Sequence, residues 1–123
     1  MASGVSIRRV YDDPGPGEGY RVLVDRVWPR GVSKDELQAD EWFREVAPST
    51  ELRRWYGHEV EKWEEFRRRY RQELAGTEAA AALERLVERA RNGHLTLLYG
   101  ARDGEHSQAE VLRELIEERL RAG

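Results

Sequence analysis

Tyr20-Arg21-Val22-Leu23-Val24 decides the fold. Val22, Leu23 and Val24 follow one another without the apolar–polar alternation of a half-buried strand. A run of this kind is buried on both faces, as in a sheet sandwiched between helices. Leu95-Thr96-Leu97-Leu98-Tyr99 repeats the pattern near the other end of the chain. A long stretch of helical periodicity separates the two, and a crossover of that length joins parallel strands. The two strands are therefore expected side by side, parallel and buried.

Working outward, Ser6–Tyr11 reads as a third strand carrying Ile7 and Val10. The link that follows, Asp12–Gly19 (DDPGPGEG), is a turn cluster of prolines and glycines. It is shorter than an ordinary parallel crossover, so this strand and Tyr20–Val24 are expected to be antiparallel or irregularly joined. Ser33-Lys34-Asp35-Glu36 is a capping box. Leu37, Phe43 and Val46 then mark a helix ending near Ala47-Pro48. Ser49 caps a short helix through Trp55, and Gly57 ends it. Trp63, Phe66, Tyr70 and Leu74 form an aromatic stripe along the next helix. Thr77 caps a helix with Ala79, Leu83, Leu86, Val87 and Ala90 inward, stopped by Asn92-Gly93. A second capping box, Ser107-Gln108-Ala109-Glu110, opens the last helix, carried by Leu112, Leu115, Ile116 and Leu120. The expected fold is α/β: a single small layered domain over residues 1–123. Its short central sheet has about three strands, mixed or mostly parallel, flanked by about five helices.

Composition narrows the function classes. The chain has no cysteine, which excludes disulfide scaffolds, cysteine-ligated metal centres and thiol enzymes. No apolar stretch approaches the ~18 residues of a membrane span, and the N-terminus lacks an apolar signal core. A cytoplasmic location with no membrane partner is the expectation. The net charge of −3 argues against a nucleic-acid partner. Of the 21 basic residues all but Lys34 and Lys62 are arginine. Most are expected to form surface ion pairs, as Arg67-Arg68-Arg69-Tyr70-Arg71 does among Glu64, Glu65 and Glu73. Those on loops are different, because a planar five-donor fork can grip phosphate or carboxylate at two points.

Two loops depart from packing logic. Asp25-Arg26-Val27-Trp28-Pro29-Arg30-Gly31 follows one buried strand, and Gly100-Ala101-Arg102-Asp103-Gly104-Glu105-His106 follows the other. In open parallel sheets, ligands bind outside the carboxyl ends of the strands. The second loop also leads into a helix N-terminus, where backbone N–H groups attract anions. Arg26, Arg30 and Arg102, with Trp28, Asp103 and Glu105, are the candidate ligand-binding residues. Asp25 and His106 are the candidate acid–base pair, imidazole being the side chain suited to proton transfer near neutrality. Each has a plainer reading: Asp25 and Arg26 in a charge network with Arg102 and Asp103, Trp28 as a lid on the core, and His106 as a solvated residue before a cap.

The same stretches carry a resemblance. IRRVY (Ile7–Tyr11), GYRVLVDRVWPRG (Gly19–Gly31), APST (Ala47–Thr50), ELRRWYGH (Glu51–His58), KWEEFRRRY (Lys62–Tyr70) and LTLLYGARDGEH (Leu95–His106) resemble the domain-of-unknown-function 488 family, in its short YeaO-like branch. The resemblance implies a compact α/β domain with a site around the DRVWPRG and ARDGEH loops. Wider members look as if they carry cysteine where this chain has Tyr99, and Cys-His-Arg where it has Glu105-His106-Ser107. Sulfur chemistry therefore does not carry over, and only the histidine of the triplet does, to His106.

Three functional readings follow. The first is binding of a small anionic, phosphate- or nucleotide-like ligand at the two loops, with or without catalysis. The second is a non-catalytic regulatory or protein-interaction domain, since the chain has no P-loop, GxSxG, GxGxxG or HExxH motif. The third is a metal- or haem-binding protein using His106 or His58, although no two histidines stand at metal-ligand spacing. No cofactor is indicated by a motif.

Overall fold

The computed structural model describes residues 4–122. Its four strands are β1 (Gly4–Arg9), β2 (Tyr20–Leu23), β3 (Glu41–Trp42) and β4 (His94–Tyr99). They form one sheet in the order β1-β4-β2-β3, every neighbouring pair parallel. Five α-helices accompany it: α1 (Lys34–Leu37), α2 (Thr50–Tyr56), α3 (Trp63–Glu73), α4 (Thr77–Asn92) and α5 (Gln108–Ala122).

β2 and β4 are the buried neighbours that their apolar runs imply. Tyr20 stands opposite Leu95 and Leu23 opposite Leu98, and Val22, Leu23, Val24, Leu95, Leu97 and Leu98 are wholly inaccessible. Alternation along each strand divides these side chains between two cores. Val22, Val24, Leu95, Leu97 and Tyr99 join the inward faces of α2, α3, α4 and α5. Leu23 and Leu98 instead meet Val10 and Leu37, with Trp28 and Trp42 packed around them. Four helices thus cover one face, while loops and the single turn of α1 cover the other. The sandwich between helices that the apolar runs suggest is one-sided.

Three local expectations are corrected. First, of the two expectations for β1 and β2 the irregular join holds and the antiparallel pairing does not, since each pairs in parallel with β4, which lies between them. The link Val10–Gly19 returns along the loop-covered face in place of a crossover helix. At one end the Val10 N–H donates to the Tyr99 carbonyl at 2.8 Å, and near the other the Thr96 hydroxyl donates to the Glu18 carbonyl at 2.6 Å. Extended chain advances about 3.3 Å per residue, so a segment this long can span a six-residue strand. Gly19 closes the return at φ +66°, where a Cβ would sit 2.2 Å from the His94 carbonyl oxygen.

Second, the helix read from Ser33 to Ala47 stops after one turn, and a fourth strand follows it. Arg21, 7% exposed, causes the break. Its Nη2 donates to the Leu37 carbonyl at 2.7 Å and its Nε to the Gln38 carbonyl at 3.1 Å, while Nη1 pairs with Glu18. Gln38 takes a left-handed conformation, φ 52°. The next residues then pair with β2: Asp40 N–H to Arg21 O at 2.7 Å and Phe43 N–H to Leu23 O at 2.8 Å. A free sheet edge satisfies this backbone more completely than a helix whose terminal carbonyls are already occupied.

Third, the caps differ. The Ser33 box forms in full, and the Ser49 hydroxyl accepts from the Leu52 N–H at 3.1 Å. Thr77 is the first residue of α4, with Gly76 at the cap position. Ser107 turns its hydroxyl to the Gly104 carbonyl at 2.9 Å, and Arg113 takes the Glu110 carboxylate, so the second box is absent. Within the aromatic stripe Phe66, Tyr70 and Leu74 are buried and Trp63 is half-buried.

Because Arg21 donates to the Leu37 and Gln38 carbonyls at the end of α1, Arg21→Met should cost about 2–3 kcal/mol through the acceptors left behind. Urea unfolding checks this. A loss below about 0.5 kcal/mol, the range of a neutral surface change, would remove Arg21 as the cause of the break.

Candidate functional site

Parallel pairing brings the carboxyl ends of β1, β2 and β4 to one edge of the sheet. A cavity of about 550 Å³ opens there. β2 continues into Asp25, Arg26 and Val27 on its lip, and β4 contributes Ala101. α2 and the turn after it supply Arg53, Arg54, Tyr56 and His58; Phe66 comes from α3 and Gln108 from α5.

Asp25 ties these parts together. Its Oδ2 accepts the Gly100 N–H at 2.9 Å, its Oδ1 accepts from the Gln108 side-chain amide, and its carbonyl accepts the Trp42 indole N–H at 2.7 Å. Burial among neutral donors pushes its carboxyl up to about 6, against the downward pull of those hydrogen bonds and of Arg53. Arg26 braces the entry to α2, donating from Nε to the Pro48 carbonyl at 3.0 Å and from Nη2 to the Ala47 carbonyl at 3.1 Å. Tyr56 and Phe66 stack with centroids 4.3 Å apart and planes at 19°. The Tyr56 hydroxyl donates to the His106 carbonyl at 2.7 Å, and burial pushes its phenol up to about 12, which keeps it neutral. His58, beside the cavity, holds a left-handed backbone at φ 58°, a conformation that costs energy without glycine.

Among the described residues ten of the nineteen arginines reach a glutamate and nine do not: Arg9, Arg26, Arg30, Arg44, Arg53, Arg54, Arg89, Arg102 and Arg121. On the helices, Arg67, Arg68, Arg69, Arg71, Arg85, Arg91, Arg113 and Arg119 each reach a glutamate. Around the cavity, Arg26, Arg53 and Arg54 have no carboxylate within ion-pair distance among the described residues. The solvated-face reading of the 67–71 run is thus what the ion pairs show, and three of the arginines without a carboxylate partner line the cavity.

The second loop turns elsewhere. Asp103 Oδ1 accepts the Glu105 N–H at 3.1 Å, and its Oδ2 lies 2.6 Å from His106 Nδ1. That hydrogen bond holds the Asp103 carboxyl below its ordinary value. The His106 ring meets Trp63 edge-on at 5.3 Å, behind the Tyr56 wall and outside the cavity lining. Trp28 packs on Trp42 at 5.4 Å and donates to the Val32 carbonyl at 2.6 Å, on the loop-covered face of the sheet. Arg30, Arg102, Asp103 and Glu105 are exposed, and none lines the cavity. The structure therefore gathers Asp25 and Arg26 of the sequence-derived set with Ala101 of the second loop, and leaves the other named residues outside. Among the described residues, no three His, Asp or Glu side chains are grouped to hold a metal ion.

Residues 4–123 match a family model described as "Inactive DUF488-N3 subclade". The chain belongs to this DUF488 family. It is 44% identical over 112 residues to the uncharacterised protein YeaO of Escherichia coli K12, covering 91% of this chain and 96% of that one. An uncharacterised protein of Mycobacterium tuberculosis H37Rv is 43% identical over 112 residues, with 91% and 92% covered. No solved structure matches. In this DUF488 member the Tyr99 phenol fills the space over Gly104, where a Cβ would come within 2.2 Å of its Oη.

In the sequence Arg53, Arg54 and Tyr56 read as parts of a short capped helix, and His58 as a loop residue named only for the metal or haem reading. One signal was available: the positions three and four residues from Arg53 are Ser49, Thr50, Tyr56 and Gly57, and none can pair with it along the helix.

Asp25 gives a pH test. Its folded carboxyl is raised toward 6 from an ordinary value of 3.8, so the folded state holds the proton more tightly than the unfolded state between those values. This group's contribution to stability must therefore fall as pH rises from about 4 to about 6. Glu65 and Asp103, both lowered, act in the opposite sense, so the quantity to measure is a difference. Unfolding free energy of the native protein minus that of Asp25→Asn should decline across this window and be flat above it. A flat difference throughout would place Asp25 in contact with water.

Proposed function

We propose that the cavity binds a small anionic ligand of phosphate- or nucleotide-like chemistry and holds it without turnover. The observation that carries this reading is the gathering of three unpaired arginines at one cavity. Most guanidinium groups on the other helices are paired with glutamates, Arg89 and Arg121 being the exceptions, whereas Arg26, Arg53 and Arg54 stand unneutralised together around a concave site. Like charges gathered at one crevice repel unless an anion sits between them. The position at the carboxyl ends of parallel strands is where open α/β sheets hold ligands.

Holding without turnover is supported by what the reactive groups do. Both Asp25 oxygens accept protein donors, and His106 is tied to Asp103 outside the cavity. The family description, "Inactive", agrees with a binding role.

Calorimetric titration with inorganic phosphate and ribose 5-phosphate tests the reading. Millimolar ligand should bind and raise the unfolding temperature. Arg53→Ala and Arg54→Ala, both at exposed positions and so compatible with folding, should each weaken binding by about 1.5–3 kcal/mol. Lysine at either position should restore only part, since an ammonium lacks the two-pronged grip. Absence of binding by the folded native protein at millimolar phosphate ester would sink the proposal.

A further inference from the structure

The cavity is more than a cationic lip, and its interior narrows the chemistry of the ligand. This step rests on the anion reading above and goes beyond it. We infer that the ligand is bipolar: a planar group with two adjacent N–H donors directed at Asp25, joined to the anion held at the mouth by Arg53 and Arg54.

A carboxylate offers about four acceptor positions, two on each oxygen. Oδ2 uses one for the Gly100 amide and Oδ1 one for the Gln108 amide, so each oxygen keeps one position free. Asp25 lines the cavity, and its carboxylate is a planar acceptor edge with one protein donor on each oxygen. A pair of parallel N–H donors fits that edge, as in the bidentate pairing of carboxylates with planar donors. The donors that hold Asp25 now are neutral amides, which compensate a mostly buried charge poorly. A ligand with two further donors would relieve that cost, and this is the complementarity that the interior lacks.

Part of the wall is apolar: Phe66 and Tyr56, stacked on one another and buried, line the cavity together with Pro48 and Ala101. Such a wall accepts the ring of a planar group by contact. A volume of about 550 Å³ accommodates a ring, a linker and a phosphate. Two sources share the chemistry: the N1–H and N2–H edge of a guanine ring carrying a phosphate, and a guanidinium carrying a carboxylate, as in free arginine.

Titration of the native protein with guanosine 5′-phosphate, inosine 5′-phosphate, ribose 5-phosphate and free arginine tests the inference without any variant. Guanosine 5′-phosphate should bind more tightly than ribose 5-phosphate by on the order of tenfold or more, the usual discrimination of a two-point hydrogen bond. Inosine 5′-phosphate keeps one donor and should fall between them. Tight binding of free arginine, with no preference among the phosphates, would assign the donor pair to a guanidinium and support the same inference. Equal binding of guanosine 5′-phosphate and ribose 5-phosphate, with none of arginine, would overturn the donor pairing while leaving the anion site in place. Failure of all four would remove both. In Asp25→Asn the preference for guanosine 5′-phosphate over ribose 5-phosphate, read as the ratio of the two affinities, should vanish. A preference that survives the substitution places the donors elsewhere and also overturns the inference.

Discussion

β4 lies between β1 and β2 and parallel to both, and this one arrangement governs what surrounds it. Parallel strands share a polarity, so three strand ends and their following loops emerge together. The chain must also come back from the end of β1 to the start of β2 without an intervening helix. It does so across the Thr96 and Leu98 face, which leaves that face to loops and one helical turn. The longer helices collect on the other face. The asymmetry sets the cavity where α2, α3 and α5 meet the strand ends, because only there do helices border the open edge.

Within that edge, Asp25 performs the joining. It belongs to the continuation of β2, yet it bonds the amide after β4 and the first residue of α5. Three elements far apart in sequence are thus held by one carboxylate whose burial opposes its own ionisation. A neutral asparagine would preserve part of the geometry at lower electrostatic cost. The acid is a costly choice for a purely structural tie, since neutral amides compensate a mostly buried charge poorly.

How much of this was legible in the sequence follows from which residues were constrained by their immediate neighbours. YRVLV and LTLLY announced their burial because both faces of each strand are covered, and their parallel pairing followed from the helices between them. The two residues of β3 announced nothing. Leu37, Phe43 and Val46 stand at spacings compatible with a helix, and only the guanidinium of Arg21 and the free edge of β2 divert the chain there. The site divides the same way. Asp25 and Arg26 adjoin a strand end and could be placed by topology. Trp28, two residues further, turns to the other face to join Trp42, a tertiary preference that no spacing encodes. Arg53 and His58 belong to a helix and turn whose docking position depends on the whole helical layer.

The same logic explains why so many polar groups near the strand ends contribute structure while few remain free. His106 is held by Asp103, its carbonyl receives Tyr56, and Tyr99 occupies the space above Gly104. Arg9 donates to the Ala101 carbonyl, and Arg26 spends two donors on the Ala47 and Pro48 carbonyls. Each tie fixes a loop that would otherwise need a longer element behind it, in a chain with four short strands. After these ties Arg53 and Arg54 on α2 have no carboxylate partner among the described residues, and each Asp25 oxygen has a single protein donor. On the proposed reading these opposite charges, set apart at one cavity, meet opposite ends of one molecule.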